Sequence, residues 1–177
     1  VVTQDDVLDV LQGIDDPEMP ISIVDLGIVE KVELHPAPPA GTRVCVEVIP
    51  TFVGCPALPV IEDEIRRRVA ALPGVAAVEV RFIHAPAWSV DRITPAGREA
   101  LRRFGLTVPQ AAEGGADPPP SCPYCGSASV RQESAFGPTR CRTIWYCEAC
   151  RNPFEHLKRL APVRLVQLAL DRLGQPR

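Results

Sequence analysis

Four cysteines stand in two pairs near the C-terminus, Cys122-Pro-Tyr-Cys125 and Cys147-Glu-Ala-Cys150, separated by residues 126–146. Two C-x-x-C pairs at this spacing predict a tetrahedral four-thiolate metal site of the zinc-ribbon kind. Each pair folds into a tight knuckle that aims both sulfurs at one ion, and a long hairpin brings the knuckles together. Zinc is the expected metal, although a single iron or an iron–sulfur cluster could use the same thiols. A fifth cysteine of the tail, Cys141, is an alternative ligand, a redox partner or a spare thiol. Most such ribbons are structural, so the site marks a metal-stapled tail without naming a function.

Outside the tail the residue with most chemical promise is Cys55. It lies between a predicted strand and a predicted helix, directly before Pro56. With Pro56 as the first helical residue, Cys55 is the N-cap, and its sulfur meets the positive end of the helix dipole. That placement lowers a thiol pKa and favours thiolate. Gly54 lets backbone or a ligand approach closely. A thiolate there could bind a soft metal, receive an iron–sulfur cluster or act as a nucleophile. A buried structural cysteine is the competing reading. Cys45 falls mid-strand and reads as structural. His35, His84 and His156 share no spacing and are assigned no ligand role, and no His or Asn is placed by sequence to act as a base for a thiol enzyme.

These residues need elements to position them. Thr3 and Asp6 form a capping box, and Val7, Val10, Leu11 and Ile14 give residues 4–13 a helical stripe. Two prolines make 15–20 a loop. Strands are expected over 28–34 and 43–49, then a helix over 57–72 with Leu58, Ile61, Ile65, Val69 and Leu72 on its buried face. Glu62, Asp63 and Glu64 precede Arg66, Arg67 and Arg68 on that helix, an order that suits the dipole and i, i+4 pairing on a solvated face. Pro73-Gly74 stops it, a third strand covers 75–83, and Thr94-Pro95 opens a last helix that Gly105 closes. The order αββαβα predicts an α+β fold, a small two-layer domain over 1–107. A Pro/Gly/Ala-rich linker follows over 108–121. The ribbon occupies 122–156, and Val166, Ala169, Leu170 and Leu173 suggest a helix in the extension 157–177.

The composition bounds the function class. With 177 residues, the chain has room for one ordinary domain and a small module. Its 20 prolines are roughly twice the usual usage of about 5 per cent, which keeps elements short. No apolar run approaches the ~18 residues of a membrane span, and no basic-then-apolar leader is seen. Seven cysteines, an odd count arranged as C-x-x-C pairs, favour metal thiolates in a reducing cytoplasm. The net charge of −3 divides unevenly: residues 1–121 carry 10 basic and 18 acidic side chains, and residues 122–177 carry 9 basic and 4 acidic. The basic tail could meet nucleic acid, but an acidic main domain and few interleaved aromatics argue for solvated arginines.

Several motifs resemble a known family. They are Asp16-Pro17-Glu18-Met19-Pro20, Ser22 through Val29 with Asp25-Leu26-Gly27, Thr51 through Cys55-Pro56, Pro86-Ala87-Trp88, and Arg92-Ile93-Thr94 through Gly105-Leu106. In consistent order over residues 5–109, they resemble the iron–sulfur assembly domain family that includes SufT. Cys122 to Cys125, Phe136-Gly137, Cys141, Cys147 to Cys150 and Pro153-Phe154 are similar to the tail of the PaaD family (also called PaaJ), accessory proteins of the phenylacetyl-CoA epoxidase system in phenylacetate degradation.

The resemblance implies a non-catalytic maturation role, the assembly or insertion of iron or iron–sulfur centres into the oxygenase and reductase subunits. It makes Cys55 the position that handles iron or a transient cluster, with Asp16, Glu18 and Asp25 shaping that site or giving oxygen ligands. Zinc in the ribbon accompanies it. A cluster at Cys55 could be shared across a homodimer. An ordinary Asp-Pro turn at Asp16 and a cap at Asp25 compete with those roles, and Trp88 reads as core. The alternative function is a structural or docking component of the same complex with a purely structural ribbon.

Overall fold

The computed structural model describes residues 1–39, 41–52, 54–110 and 118–159. The helix expected beyond residue 160 and linker residues 111–117 lie outside the described residues. Helix α1 (Gln4–Gln12) starts where the sequence places it. The Asp6 carboxylate accepts the Thr3 backbone N–H at 2.8 Å, and the Thr3 hydroxyl accepts the Asp6 N–H at 3.2 Å. These bonds satisfy N–H groups that a helix start leaves unpaired. Val7 and Leu11 face inward.

Strand β1 (Val29–Pro36) runs antiparallel to β2 (Thr42–Val48), and β2 runs parallel to β3 (Val75–Phe82). A parallel pair needs a crossover, which is α2 (Leu58–Ala70). Ile61, Ile65 and Val69 carry the burial of α2, each worth about 1.5–3 kcal/mol. On its other face Arg66 pairs with Glu62 at 2.6 Å, and Arg67 and Arg68 with Glu64 at 2.7 Å. Such exposed pairs contribute a few tenths of a kcal/mol each, so the charge run is the solvated side of a helix held by its apolar stripe. Cys45 is fully buried in β2, as a structural thiol should be.

After β3 a single 3-10 turn (Val90–Arg92) leads to α3 (Pro95–Arg103). Thr94 caps α3 by accepting the Gly97 N–H at 3.0 Å, and Gly105, at φ +88°, ends it. Leu106–Thr107 (β4) then joins the sheet of the tail, whose strand order is β4-β7-β6-β5, with β5 at Val130–Ser134, β6 at Arg142–Cys147 and β7 at Pro153–Leu157. β4 pairs with β7 in parallel, and the ribbon strands pair antiparallel. The fold is a small α+β domain followed by a ribbon, and the main core runs into the ribbon through Leu106, Cys141 and Leu157. A second, smaller core of Cys122, Cys147 and Phe154 surrounds the paired cysteines. Among the described residues no helix is long and apolar enough to cross a membrane.

Candidate functional site

The two cysteine pairs fold as near copies. The Gly126 N–H donates to the Cys122 carbonyl at 2.9 Å, and the Cys122 N–H donates to Ser127 at 2.9 Å. In the second knuckle Arg151 donates to Cys147 at 2.9 Å, and Cys147 donates to Asn152 at 3.0 Å. Each closure needs a left-handed residue: Gly126 at φ +74° and Arg151 at φ +59° fill equivalent places. The strands β5 and β6 bring the knuckles together, and the sulfurs of Cys122, Cys125, Cys147 and Cys150 all lie within 4.8 Å of one another. Cys122 Sγ lies 3.6 Å from Cys150 Sγ, and Cys125 Sγ 3.6 Å from Cys147 Sγ.

A tetrahedron of sulfurs at ~2.3 Å from a metal has edges of about 3.8 Å, so the spacing fits a four-thiolate ion of the zinc or rubredoxin-iron kind. All four positions are taken by protein sulfur, which is the pattern of a site that holds structure. Without metal the thiols divide their protons unequally. The Asn152 side chain and the surrounding thiols hold Cys150 down at about 6. Cys125 is pushed up to about 12: the Ser127 backbone N–H acts to lower it, but burial and the thiols of Cys147, Cys150 and Cys122 outweigh that. Cys141 is not part of this group. It is buried in the main core instead.

The position of Cys55 corrects the expectation of an N-cap. α2 begins at Leu58 with Ala57 as its cap, and Pro59 rather than Pro56 is the proline of the first turn. Cys55 lies before the cap in a turn and packs, half-buried, against the main core. Burial therefore pushes its thiol up rather than down. The Ala57 N–H opposes this, and Glu18, Asp16 and Cys141 add to the rise. At rest the group is a thiol. Beside it Gly54 sits at φ +83°, and among the described residues, its own chain neighbours aside, no atom lies within 4 Å of where a Cβ would be, so approach to the turn is open.

Asp16, only 8 % exposed, faces this region from the loop after α1. Its Oδ1 accepts the Glu18 N–H at 2.8 Å. Burial raises its pKa; the Glu18 N–H bond opposes this, the Glu18 charge adds to it, and the Met19 N–H and the Arg142 guanidinium oppose it further. Arg142, 4 % exposed, reaches across from β6: Nη2 donates to the Glu18 carbonyl at 2.9 Å, and Nη1 pairs with Glu155 at 2.7 Å. Among the described residues its Nε finds no partner. Arg142 has no distinguishing signal in the sequence, because an arginine at a strand start looks like any solvated one. Only its ties to Glu18 and Glu155 set it apart.

Asp25 has a different role. Its carboxylate accepts from Gln12 at 2.5 Å, from Thr94 at 2.5 Å and from Ser22 at 3.3 Å, and its carbonyl accepts the Thr94 N–H at 2.9 Å. It ties α1 to the start of α3. Next to it Gly27, at φ +72°, lets the Arg92 carbonyl come within 2.5 Å of where a Cβ would be. Trp88 is core, with its indole N–H on the Leu26 carbonyl at 3.0 Å. The charges of Glu18, Asp16 and Cys141 reach the Cys55 thiol, whereas Asp25 is taken up by Gln12, Ser22 and Thr94, and the four ribbon cysteines form a group of their own.

Residues 4–80 match the profile described as iron-sulfur cluster assembly protein, and residues 107–158 match the PaaD zinc beta ribbon domain. The chain is 36% identical over 151 residues to an Escherichia coli protein named as a putative component of 1,2-phenylacetyl-CoA epoxidase, covering 84% of this chain and 88% of that one. It is 31% identical over 98 residues to the Fe-S protein maturation auxiliary factor YitW of Bacillus subtilis, covering 55% of this chain and 92% of that one. A solved conserved hypothetical protein from Thermotoga maritima aligns with a TM-score of 0.48 and 30% identity, over 59% of this chain and 95% of that one. With both profiles in order and the first of these relatives matched along most of its length, the chain belongs to the PaaD family, an iron–sulfur cluster assembly domain joined to a zinc beta ribbon.

Proposed function

We propose that this chain is a maturation factor that handles iron or an iron–sulfur cluster at Cys55 and passes it to the oxygenase or reductase subunits of a phenylacetyl-CoA epoxidase-type complex. The observation that carries the reading is the Cys55 turn. A thiol held half-buried and protonated, beside the buried Asp16 and under an open Gly54, suits cargo that must be both bound and released. The iron-sulfur cluster assembly profile matches residues 4–80, which contain this turn. The role is accessory rather than catalytic.

In this reading residues 1–107 form the handling domain, 108–121 the linker, 122–156 the ribbon and 157–177 an extension. The ribbon cysteines would hold a resident zinc ion, whose chemistry is to crosslink the two knuckles. Asp16 and Glu18 shape the Cys55 site, and Asp25 positions the helices around it. A second reading, a docking component with an idle Cys55, draws on the closed four-thiol set, which leaves no open position for chemistry.

Metal analysis of epoxidase subunits matured in cells beside wild-type chain or Cys55→Ala separates the two. The first reading expects the client subunits to lose iron with Cys55→Ala while the variant keeps its fold and ribbon metal. Full client iron with Cys55→Ala, and loss only with ribbon variants, would establish the docking role.

A further inference from the structure

We infer that the outer edge of β3 is a docking surface for a second copy of this chain, which adds its own β3 antiparallel across a two-fold axis at Val80. The inference stands apart from the proposed handling role. Among the described residues β3 is an edge strand, since the sheet order is β1-β2-β3. It runs over Val75–Phe82 without a proline or a lysine. An edge of that kind presents unpaired N–H and C=O groups that template another strand. Two bonds show which groups face outward. The Ile83 N–H donates to the Val48 carbonyl at 2.9 Å, so Ile83 faces β2. The Val78 carbonyl accepts Arg66 Nη1 of α2 at 2.8 Å, so Val78 faces the opposite way. Main-chain groups alternate in direction along a strand. Val78, Val80 and Phe82 therefore offer their N–H and C=O groups outward, and Ala77, Glu79 and Arg81 turn theirs to β2.

That alternation limits the antiparallel self-pairings, because outward groups must meet outward groups. With Val80 opposite Val80 of the second copy, Val78 lies opposite Phe82, and Glu79 lies opposite Arg81 on both sides of the axis. Glu79 and Arg81 then form non-hydrogen-bonded pairs, in which side chains are closest, with Cα atoms about 4.5 Å apart. They already pair within the strand at 2.7 Å, so the assembly sets charges of alternating sign along one face. The next register on either side sets Glu79 against Glu79 or Arg81 against Arg81, and like charges directly opposite are destabilising. The sequence Glu79-Val80-Arg81 thus specifies one register and a self-complementary, two-fold partner. On the other face Val78 and Phe82 are only partly buried against the core, and the second copy covers them. β1 carries a similar triplet, Lys31-Val32-Glu33, but Gln4 Nε2 takes the Val32 carbonyl at 3.1 Å, at the centre such a pairing needs. At β3 the Arg66 bond falls on Val78, off the axis, and a carbonyl keeps a second lone pair for an incoming N–H.

The test is the mass of the full chain in solution, by sedimentation equilibrium under reducing conditions, with ribbon zinc content verified for every variant. Wild type should form a dimer. Glu79→Arg and Arg81→Glu should each raise the dissociation constant by about tenfold or more, since the two-fold axis counts each change twice. Both changes in one chain should restore the dimer. An equimolar mixture of the two single variants should form a heterodimer, because their charges again oppose. Val80→Pro, tolerated where an N–H points away from the ladder, should give a folded monomer. A wild type that stays monomeric to its solubility limit overturns the inference. So does a dimer that both single reversals leave intact, or single variants that stay apart when mixed. Should a reversal fail to fold, hydrogen exchange on wild type decides. Protection of the Val80 and Phe82 N–H groups that rises with protein concentration supports the pairing, and protection independent of concentration overturns it.

Discussion

A thiol feels a helix dipole within the first turn, and Cys55 stands before a helix that begins only at Leu58. Burial decides its state instead. Its folded pKa lies above the ordinary 9.0, so the thiolate fraction at neutral pH is smaller than that of a free cysteine. Iodoacetamide should therefore alkylate metal-free Cys55 slowly at neutral pH, with a rate midpoint above that of a model thiol. Mass spectrometry across pH reads this, and a lower midpoint would restore the N-cap picture. Asp16 makes a linked prediction. Its folded pKa is raised above 3.8, so the ionised form is penalised in the folded state. The penalty is absent at pH below 3.8 and grows as pH rises to the folded value. It is fully present at neutral pH. Asp16→Asn, which keeps an acceptor for Glu18, should then be at least as stable as wild type at neutral pH in urea denaturation, and the gap should close on acidification. Stability gained together with client iron lost would mark Asp16 as retained for function. The chemistry of both residues was legible from their neighbours in sequence. Their proton affinities were not, because burial is set by distant chain.

Among the elements, those with local signals form where their own residues dictate. The Thr3–Asp6 box, the Thr94-Pro95 start and the helical apolar spacing of α2 each depend on contacts within a turn or two. The pairing of β4 with β7 was not legible, since a two-residue parallel strand has no periodicity to betray it. Asp25 belongs to this scale. It links α1 to α3 through Gln12 and Thr94, so Asp25→Ala should cost about 1–3 kcal/mol by leaving those partners unpaired. Ile65→Ala, in the stripe of α2, should cost about 2–5 kcal/mol. Both should retain a full complement of ribbon metal after purification. Metal loss on Asp25→Ala would give this carboxylate a role that its hydrogen bonds do not explain.

Across the whole molecule, β6 connects the four-thiol group to the Asp16–Glu18 turn beside the proposed handling site. It begins with Arg142 on the Glu18 carbonyl and ends with Cys147 in the four-thiol group. Stripping the ribbon ion with a strong chelator should raise hydrogen exchange over 142–157 and also in the loop around Asp16–Glu18. Ligand thiols and fold are coupled in such sites. Exchange confined to the ribbon would uncouple the two parts. The ribbon was legible from four cysteines, but the crossing from β6 to the Asp16–Glu18 turn depends on the tertiary contact of Arg142, which no spacing encodes. The central claim, that Cys55 passes iron to a client, is tested most directly by transfer in vitro. Zinc-loaded chain carrying ferrous iron or a reconstituted cluster is mixed, without oxygen, with metal-free reductase or oxygenase, and client iron is followed over time. The account predicts that wild-type chain loads the client and that Cys55→Ala, with its ribbon zinc intact, does no better than free iron. Equal loading by both proteins would contradict it.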